Sequence, residues 1–118
     1  MTAAPAACVF CAIAAGESAA EIVCVGPLAL AFRDLDPRAP SHVLIIPRRH
    51  IAHLGEPAAA DGALLAEIVG TARQVAGSEG IAESGWRLVA NVGPDAGNSV
   101  PHLHFHVLGG RQLAWPPG

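Results

Sequence analysis

The segment HLHFHVL at residues 102–108 alternates histidines with apolar residues. An alternation of period two is typical of a β-strand, in which successive side chains point to opposite faces of the sheet. We therefore predict a strand over 102–108 with one packing face and one imidazole face. The imidazole face holds His102, His104 and His106, and the packing face holds Leu103, Phe105 and Val107.

The imidazole face has three interpretations: exposed polar positions, metal ligands or catalytic groups. Exposed strand faces usually carry Lys, Glu, Thr or Arg, so three histidines favour chemistry over solvation. Imidazole is the commonest metal ligand, and its pKa of about 6.5 also makes it a nucleophile, an acid and a base near neutral pH. An imidazole can attack phosphorus and form a covalent phosphoramidate. We therefore interpret the face as catalytic and keep metal binding as the alternative.

Glycine and proline divide the rest of the chain into short elements. We predict helices over 8–15 and 57–76, strands over 21–25, 28–32, 42–47 and 86–92, and a polar glycine-rich loop over 93–99. Together they predict an α+β fold, with a five-stranded, mainly antiparallel sheet and both helices on one face. The 118 residues suit one domain over 1–118, with 1–7 flexible and 109–118 as a C-terminal tail.

Charge and hydropathy exclude two classes of partner. The net charge is −3 and the seven basic residues are all arginines, scattered apart from one adjacent pair. Nucleic-acid surfaces need clustered positive charge, so none is expected here. The apolar N-terminus lacks a basic region and is interrupted by Pro5 and Gly16, which predicts neither a signal peptide nor a membrane span. We expect a cytoplasmic protein without a membrane partner.

The segment Cys8-Val9-Phe10-Cys11 is ambiguous by itself. A redox motif would follow a strand, and seven preceding residues leave little room for one. An inert buried pair and half of a metal site are the other interpretations.

Several segments resemble one known family, the histidine-triad (HIT) superfamily, whose signature is H-x-H-x-H-x-x with apolar residues at x. Residues 102–108 match that signature, and the ending GGRQLAWPPG looks like that of the Hint branch, the nucleoside phosphoramidases. AFRDLDPRAPSHVLIIPRRHI (31–51) is similar to the family's ribose-binding segment, and NVGPDAGNSVPHLHFHV (91–107) to its active-site loop and strand. CVFCAIAAGE is similar to its N-terminal helix. The resemblance implies a HIT-like fold.

The activity that the resemblance implies is cleavage of a P–N bond at the α-phosphate of a purine nucleoside 5′-monophosphate derivative, through a covalent nucleotidyl-histidine. It implies an AMP- or GMP-type substrate or product and no organic cofactor. Two alternatives stay open. One is hydrolysis of dinucleoside polyphosphates, and the other is a nucleotide-binding or scaffolding role with vestigial catalysis.

The resemblance also assigns roles to residues. His104 is the nucleophile and His106 contacts phosphate and leaving group; the catalytic set is completed by His42, His102 and Ser99. Asp34 holds the ribose hydroxyls, and Asn91 and Ser99 bind near the phosphate. The base pocket is formed by Phe10, Ile13, Phe32 and Leu35. Without the resemblance, these four apolar residues are core candidates and Asp34 is a turn-capping residue near Pro37.

Two further implications concern metal and assembly. A structural zinc site of Cys8, Cys11, His50 and His102 would pin the N-terminal helix to the sheet. A homodimer would join two sheets into one of ten strands, with the C-terminal tail reaching the partner's site. The chain departs from the family pattern at Asn98, where glutamine is common, and at Ala114, which replaces a larger residue.

Overall fold

The computed structural model describes residues 8–118, so the segment 1–7, predicted to be flexible, lies outside the described residues. Within the described residues, two α-helices and five β-strands follow one another. They are α1 (Val9–Ala14), β1 (Ile22–Val25), β2 (Ala29–Arg33), β3 (Ser41–Pro47), α2 (Gly62–Ser78), β4 (Trp86–Ala90) and β5 (Phe105–Gly109). The strands form one antiparallel sheet in the order β1-β2-β3-β5-β4. The predicted α+β fold is confirmed.

Strand β3 is the centre of the sheet and is buried along its whole length. Val43 and Ile45 pack with α2, whereas Leu44 and Ile46 pack with Phe10 of α1. The two helices therefore cover opposite faces of the sheet, and the prediction that both lie on one face is wrong. The continuous apolar run of β3 is what a strand covered on both sides requires.

The long helix begins later than its hydrophobic pattern predicted. Pro57–Ala59 form a separate 3₁₀ turn, and α2 starts only after Asp61. The Asp61 carboxylate accepts a hydrogen bond from the Leu64 amide at 3.1 Å and so caps the free N–H groups of the first turn. The predicted start at residue 57 is corrected for this reason.

Strand β5 also begins later than the predicted strand over 102–108. Its pairing with β3 begins at Phe105 opposite Ile45, close to Pro47, which ends β3 and has no N–H to donate. Leu103 instead donates its amide to the Ile51 carbonyl at 2.6 Å. The predicted alternation nevertheless extends to residue 102, because Leu103, Phe105 and Val107 belong to the α2 core. The histidines are on the α1 side, where Phe10 contacts the rings of His102 and His104.

No helix within residues 8–118 has both the length and the apolar character needed to cross a membrane.

Candidate functional site

A cavity of about 310 Å³ opens on the α1 side of the sheet. Its walls come from α1, from the end of β2 and the residues after it, and from the segment leading into β5. Eight residues predicted for the site line this cavity: Phe10, Ile13, Phe32, Asp34, Leu35, Ser99, His104 and His106. Most of its wall is apolar, and the two imidazoles lie together in it with their ring centres 5.1 Å apart.

A closed loop before β5 brings Ser99 to the cavity. Gly93 and Gly97 adopt φ angles of 82° and 79°, which residues with a side chain rarely take. The Asn98 amide donates to the Gly93 carbonyl at 3.2 Å and closes the loop. The predicted glycine-rich loop thus has a defined shape, and it places Ser99 beside the histidines.

His104 is held in one tautomer by the main chain. Its Nδ1 lies 2.8 Å from the His102 carbonyl oxygen, which can only accept, so Nδ1 carries the proton. Nε2 is then the unprotonated nitrogen and has the lone pair that a nucleophile needs. The edge of Phe10 packs on the ring with centres 5.2 Å apart, which fixes its orientation.

His106 is held in the opposite tautomer by a hydrogen bond from His42. The Arg38 amide donates to His42 Nδ1 at 3.0 Å, so His42 carries its proton on Nε2. That N–H donates to His106 Nδ1 at 2.9 Å. The proton of His106 is therefore on Nε2, which is buried and has no hydrogen-bond partner among the described residues. An unpaired buried donor is costly, and an anionic oxygen next to it would relieve that cost.

Burial keeps His42 and His106, the two rings of this hydrogen-bond chain, neutral at physiological pH. It lowers the pKa of His106 to about 4, and the neighbouring His104 and His42 act in the same direction. Burial also lowers the pKa of His42, against the opposing influence of the Asp34 carboxylate. Neutral rings keep one donor and one acceptor nitrogen each, as the chain of hydrogen bonds requires.

Asp34 combines the two roles weighed from the sequence. Its Oδ1 accepts from the Asp36 amide at 2.8 Å, which is the contact of a turn-capping residue. Its Oδ2 lies 3.3 Å from His42 Nε2 and the residue lines the cavity. One carboxylate oxygen thus shapes the turn, and the other faces the site.

Three residues predicted for catalysis or nucleotide binding do not line the cavity: His42 is hydrogen-bonded to His106, and Asn91 and His102 lie farther away. Asn91 lines a second groove of about 850 Å³, between β4 and the C-terminal tail. The His102 side chain is completely buried behind Phe10, in a cluster of Cys and His side chains that could bind a metal ion. The structure therefore brings His104 and His106 together at the cavity and directs the first histidine of the series elsewhere.

Other cavity residues were not predicted. Leu44 is two positions from His42 on β3, so the alternation of that strand could have indicated it. Val9, Ala19, Ala20, Arg33 and Val100 also line the cavity. The Arg38 amide and the His102 carbonyl are main-chain groups, which leave no signal in the sequence.

Cys8, Cys11, His50 and His102 form a compact cluster that could bind a metal ion. Nδ1 of His102 lies 3.3 Å from Cys8 Sγ, 3.4 Å from Cys11 Sγ and 3.2 Å from His50 Nδ1. Cys11 Sγ lies 3.2 Å from His50 Nδ1. Tetrahedral zinc with two sulfur and two nitrogen ligands separates them by about 3.3–3.8 Å, so the donor set fits this ion closely.

One detail favours an ion over hydrogen bonds in this cluster. His102 Nε2 donates to the Pro47 carbonyl at 3.1 Å, leaving one lone pair on Nδ1, yet three groups converge on that nitrogen. One lone pair cannot accept three hydrogens in good geometry.

Fold and site together define a class: small antiparallel α+β proteins in which alternating histidines meet an apolar cavity. A family model described as the HIT domain matches residues 15–113, and the chain belongs to this family. The resemblance to the histidine-triad superfamily is thereby confirmed.

Individual relatives are similar over nearly the whole chain. An uncharacterized HIT-like protein of Synechococcus elongatus is 51% identical over 102 residues, which cover 86% of this chain and 89% of that protein. The crystal structure of a HIT family hydrolase from Legionella pneumophila superposes with a TM-score of 0.90 at 50% identity, covering 94% and 99% of the two chains. A histidine triad nucleotide-binding protein from Candida albicans superposes with a TM-score of 0.79 at 27% identity, covering 93% and 83%.

Proposed function

We propose that the protein is a nucleotide hydrolase of the Hint branch, which cleaves the P–N bond at the α-phosphate of a purine nucleoside phosphoramidate. The observation that carries the proposal is the opposite tautomers of two adjacent histidines. His104 directs a lone pair, and His106 an unpaired N–H, from rings 5.1 Å apart beside one cavity. A nucleophile and a donor for the phosphoryl group are thus prepared at one place.

The first step forms a bond between His104 Nε2 and phosphorus and breaks the P–N bond to the leaving amine. The phosphoramidate reacts with its nitrogen protonated, so the amine departs neutral with the electron pair of the P–N bond. His106 and His42 keep their protons, and the Nε2–H of His106 donates a hydrogen bond to the reacting group. His104 keeps its Nδ1 proton and becomes a positively charged phosphoryl-imidazolium, whose charge is balanced by the anionic phosphoryl oxygens.

The second step returns the enzyme to its starting state. Water attacks phosphorus, the bond to His104 Nε2 breaks, and the proton that the water loses passes to solvent. The products are the nucleoside monophosphate and the free amine. The Ser99 side chain lines the cavity, and its hydroxyl would donate to the phosphoryl oxygens.

The cavity supports a nucleoside as the bound group. Its volume is at the lower end of the roughly 300–1,000 Å³ typical of small-molecule sites. Phe10 and Phe32 meet edge to face at 5.5 Å and, with Ile13, give an apolar wall for a purine ring. Asp34 lines the same cavity, and its Oδ2, which lies 3.3 Å from His42 Nε2, would also accept from ribose hydroxyls. The names of the Legionella hydrolase and the Candida nucleotide-binding protein agree with this assignment.

We further propose that the Cys/His cluster holds a structural zinc ion. All four ligand positions are supplied by the protein, which is typical of zinc sites that stabilise a fold rather than activate water. Cys8 and Cys11 belong to the first turn of α1, whereas His50 and His102 belong to segments that leave and enter the sheet. Bound zinc would therefore fasten α1 to the sheet.

The decisive test is the His104→Ala variant with a slow adenosine 5′-phosphoramidate. We expect amine release to fall by on the order of 10³-fold or more, because the attacking nitrogen is gone. AMP binding should persist, since the cavity walls remain. Intact mass of the wild-type protein mixed with the substrate should show one nucleotidyl adduct, which His104→Ala lacks.

His53→Ala is the matched control, because within residues 8–118 the hydrogen bond at His53 Nδ1 comes from the Gly55 amide in a local turn. It should retain turnover and adduct. Near wild-type turnover in His104→Ala would refute covalent catalysis by this ring. Faster cleavage of a dinucleoside polyphosphate than of the phosphoramidate would refute the substrate class, and binding of AMP without turnover of either would indicate the scaffolding alternative.

A further inference from the structure

We infer that the Cys/His cluster positions the nucleophile, and that His50 is a positioning residue for His104 although it lies outside the cavity. The inference rests on the proposed function, because it concerns how the reactive tautomer of His104 is maintained. Two structural connections join the cluster to the His104 ring: the main chain of His102 and the side chain of Phe10.

The first connection is His102, whose ring belongs to the cluster and whose carbonyl contacts His104. The His102 imidazole directs Nδ1 to the cluster and Nε2 to the Pro47 carbonyl, and its side chain is 0% exposed. The carbonyl oxygen of the same residue accepts the Nδ1 proton of His104 at 2.8 Å. The planar peptide unit that contains this carbonyl is also held by the Leu103 amide, which donates to the carbonyl of Ile51, the neighbour of His50, at 2.6 Å. If that carbonyl turns away, the His104 proton is free to move to Nε2, and that tautomer has no lone pair facing phosphorus.

The second connection is the side chain of Phe10, which lies between Cys8 and Cys11 in the sequence. The Phe10 ring packs edge-on against His102 at 5.9 Å and against His104 at 5.2 Å. Helix α1 has only six residues, too few to be stable without tertiary anchors. Its buried side chains are Phe10 and Ile13, and Arg48 donates to the Ala14 carbonyl at 3.4 Å, so the thiol ligands Cys8 and Cys11 add anchorage at the other end of the helix. Loss of the ion would therefore release the wall that supports the nucleophile.

His50 separates this effect from direct damage to the cavity. Its Nδ1 approaches Cys11 Sγ and His102 Nδ1, both at 3.2 Å, and its ring packs on His102 with centres 4.9 Å apart. In the described part of the chain these contacts are to the cluster rather than to His104. A substitution of the His50 side chain thus leaves the cavity walls in place and acts on the nucleophile through the cluster and the adjoining main chain of Ile51.

The experiment compares wild type with His50→Ala, His50→Cys and His53→Ala, all loaded with zinc and dialysed against a chelator that leaves wild-type zinc in place. Zinc content is measured for each protein, and ¹⁵N spectra of labelled histidine give the tautomer of His104. Calorimetry gives the Kd for AMP. Cysteine at residue 50 keeps a thiolate ligand, and His53→Ala removes a nearby histidine outside the cluster.

We expect His50→Cys and His53→Ala to retain zinc and the single Nδ1–H tautomer of the wild type. His50→Ala should lose zinc, keep the circular dichroism of the folded sheet, and show His104 as a mixture of tautomers. Its Kd for AMP should rise by about fivefold or more, the lower end of measured couplings between sites. The spectrum and the rescue by His50→Cys would not follow from a loss of stability alone.

Three results would overturn the inference. The first is zinc-free, folded His50→Ala with an unchanged His104 tautomer and a Kd within about twofold of wild type. The second is His50→Ala that keeps zinc and an unchanged His104, because His50 would then be dispensable. The third is complete unfolding of zinc-free His50→Ala, because the ion would then hold the whole fold rather than this ring. Failure of the proposed function looks different: zinc-loaded wild type would form no nucleotidyl adduct, whatever the tautomer.

Discussion

At the scale of residues, main-chain groups give three chemically identical rings three different roles. A neutral imidazole has one donor and one acceptor nitrogen, and a single fixed contact decides which is which. The His102 carbonyl leaves His104 with a lone pair at the cavity, and the Pro47 carbonyl leaves His102 with a lone pair at the cluster. The Arg38 amide, acting through His42, leaves His106 with a proton.

The neutral state of His106 predicts a stability effect at acid pH. Its pKa falls from 6.5 to about 4 in the folded protein, so between these values the unfolded chain binds a proton that the folded chain does not. Stability is therefore lost as pH falls from 6.5 towards 4. Between pH 7.5 and pH 5 we expect wild type to lose about 1–2 kcal/mol more free energy of unfolding than His106→Gln, measured by urea denaturation.

Val89→Ala is the control for this measurement, because Val89 lies opposite His106 in the pairing of β4 with β5 and has no titratable side chain. It should shift stability by the same amount at both pH values. A pH slope in His106→Gln equal to that of wild type would show that this ring does not resist protonation.

At the scale of elements, Glu79 ties the end of α2 to two strands. Its carboxylate accepts from both terminal nitrogens of Arg33 on β2, at 2.6 and 2.8 Å, and from the Ser41 hydroxyl on β3 at 2.8 Å. Hydrogen bonds from Arg33 hold the pKa of Glu79 below its usual value, and the same carboxylate raises the pKa of Arg33. Arg33 directly precedes Asp34, so this contact also supports one wall of the site.

We expect Glu79→Ala to lower the free energy of unfolding at pH 7 by about 1–3 kcal/mol, because a two-pronged, mostly buried ion pair is lost. Glu21→Ala should cost less than about 1 kcal/mol, because exposed pairs contribute little. Both carboxylates bind Arg33, but their side chains are 12% and 73% exposed. Equal losses in urea denaturation would contradict the role of burial. The Glu79 contribution should be present above pH 4.5 and disappear as pH falls below it.

At the scale of the whole molecule, the β4 edge of the sheet and the C-terminal tail enclose the larger groove. Arg87 donates to the Ala114 carbonyl at 2.6 Å and lies 5.8 Å from the ring centre of Trp115. Trp115 is nevertheless 81% exposed, and Val92 after β4 is also exposed. An unpaired edge strand beside exposed apolar residues is suited to pairing with a second copy.

We predict a homodimer with a continuous ten-stranded sheet. Sedimentation velocity at micromolar concentration should give a main species of twice 12.0 kDa. Trp115→Ala should raise the dissociation constant by about tenfold or more, because buried tryptophans often dominate interfaces. Val69→Ala, which alters an exposed residue of α2, should not. A single 12 kDa species in the wild type would contradict the prediction.

Sequence reasoning found most of the elements because their signals are local. The apolar run of 42–47 predicted β3, and the alternation at 102–108 predicted which side chains share a face. These predictions failed where the structure of one segment depends on a residue far away in the sequence. The start of β5 depends on Pro47, more than fifty positions earlier in the chain, and the placement of both helices depends on the two covered faces of β3.

The sequence by itself determined the family, the antiparallel α+β fold and the common face of the three histidines, because strand periodicity and turn residues act over a few positions. Only the tertiary structure decided what each imidazole does. That decision depends on the Arg38 amide and on the carbonyls of Pro47 and His102, main-chain groups that acquire a role only when folding brings them to a ring nitrogen.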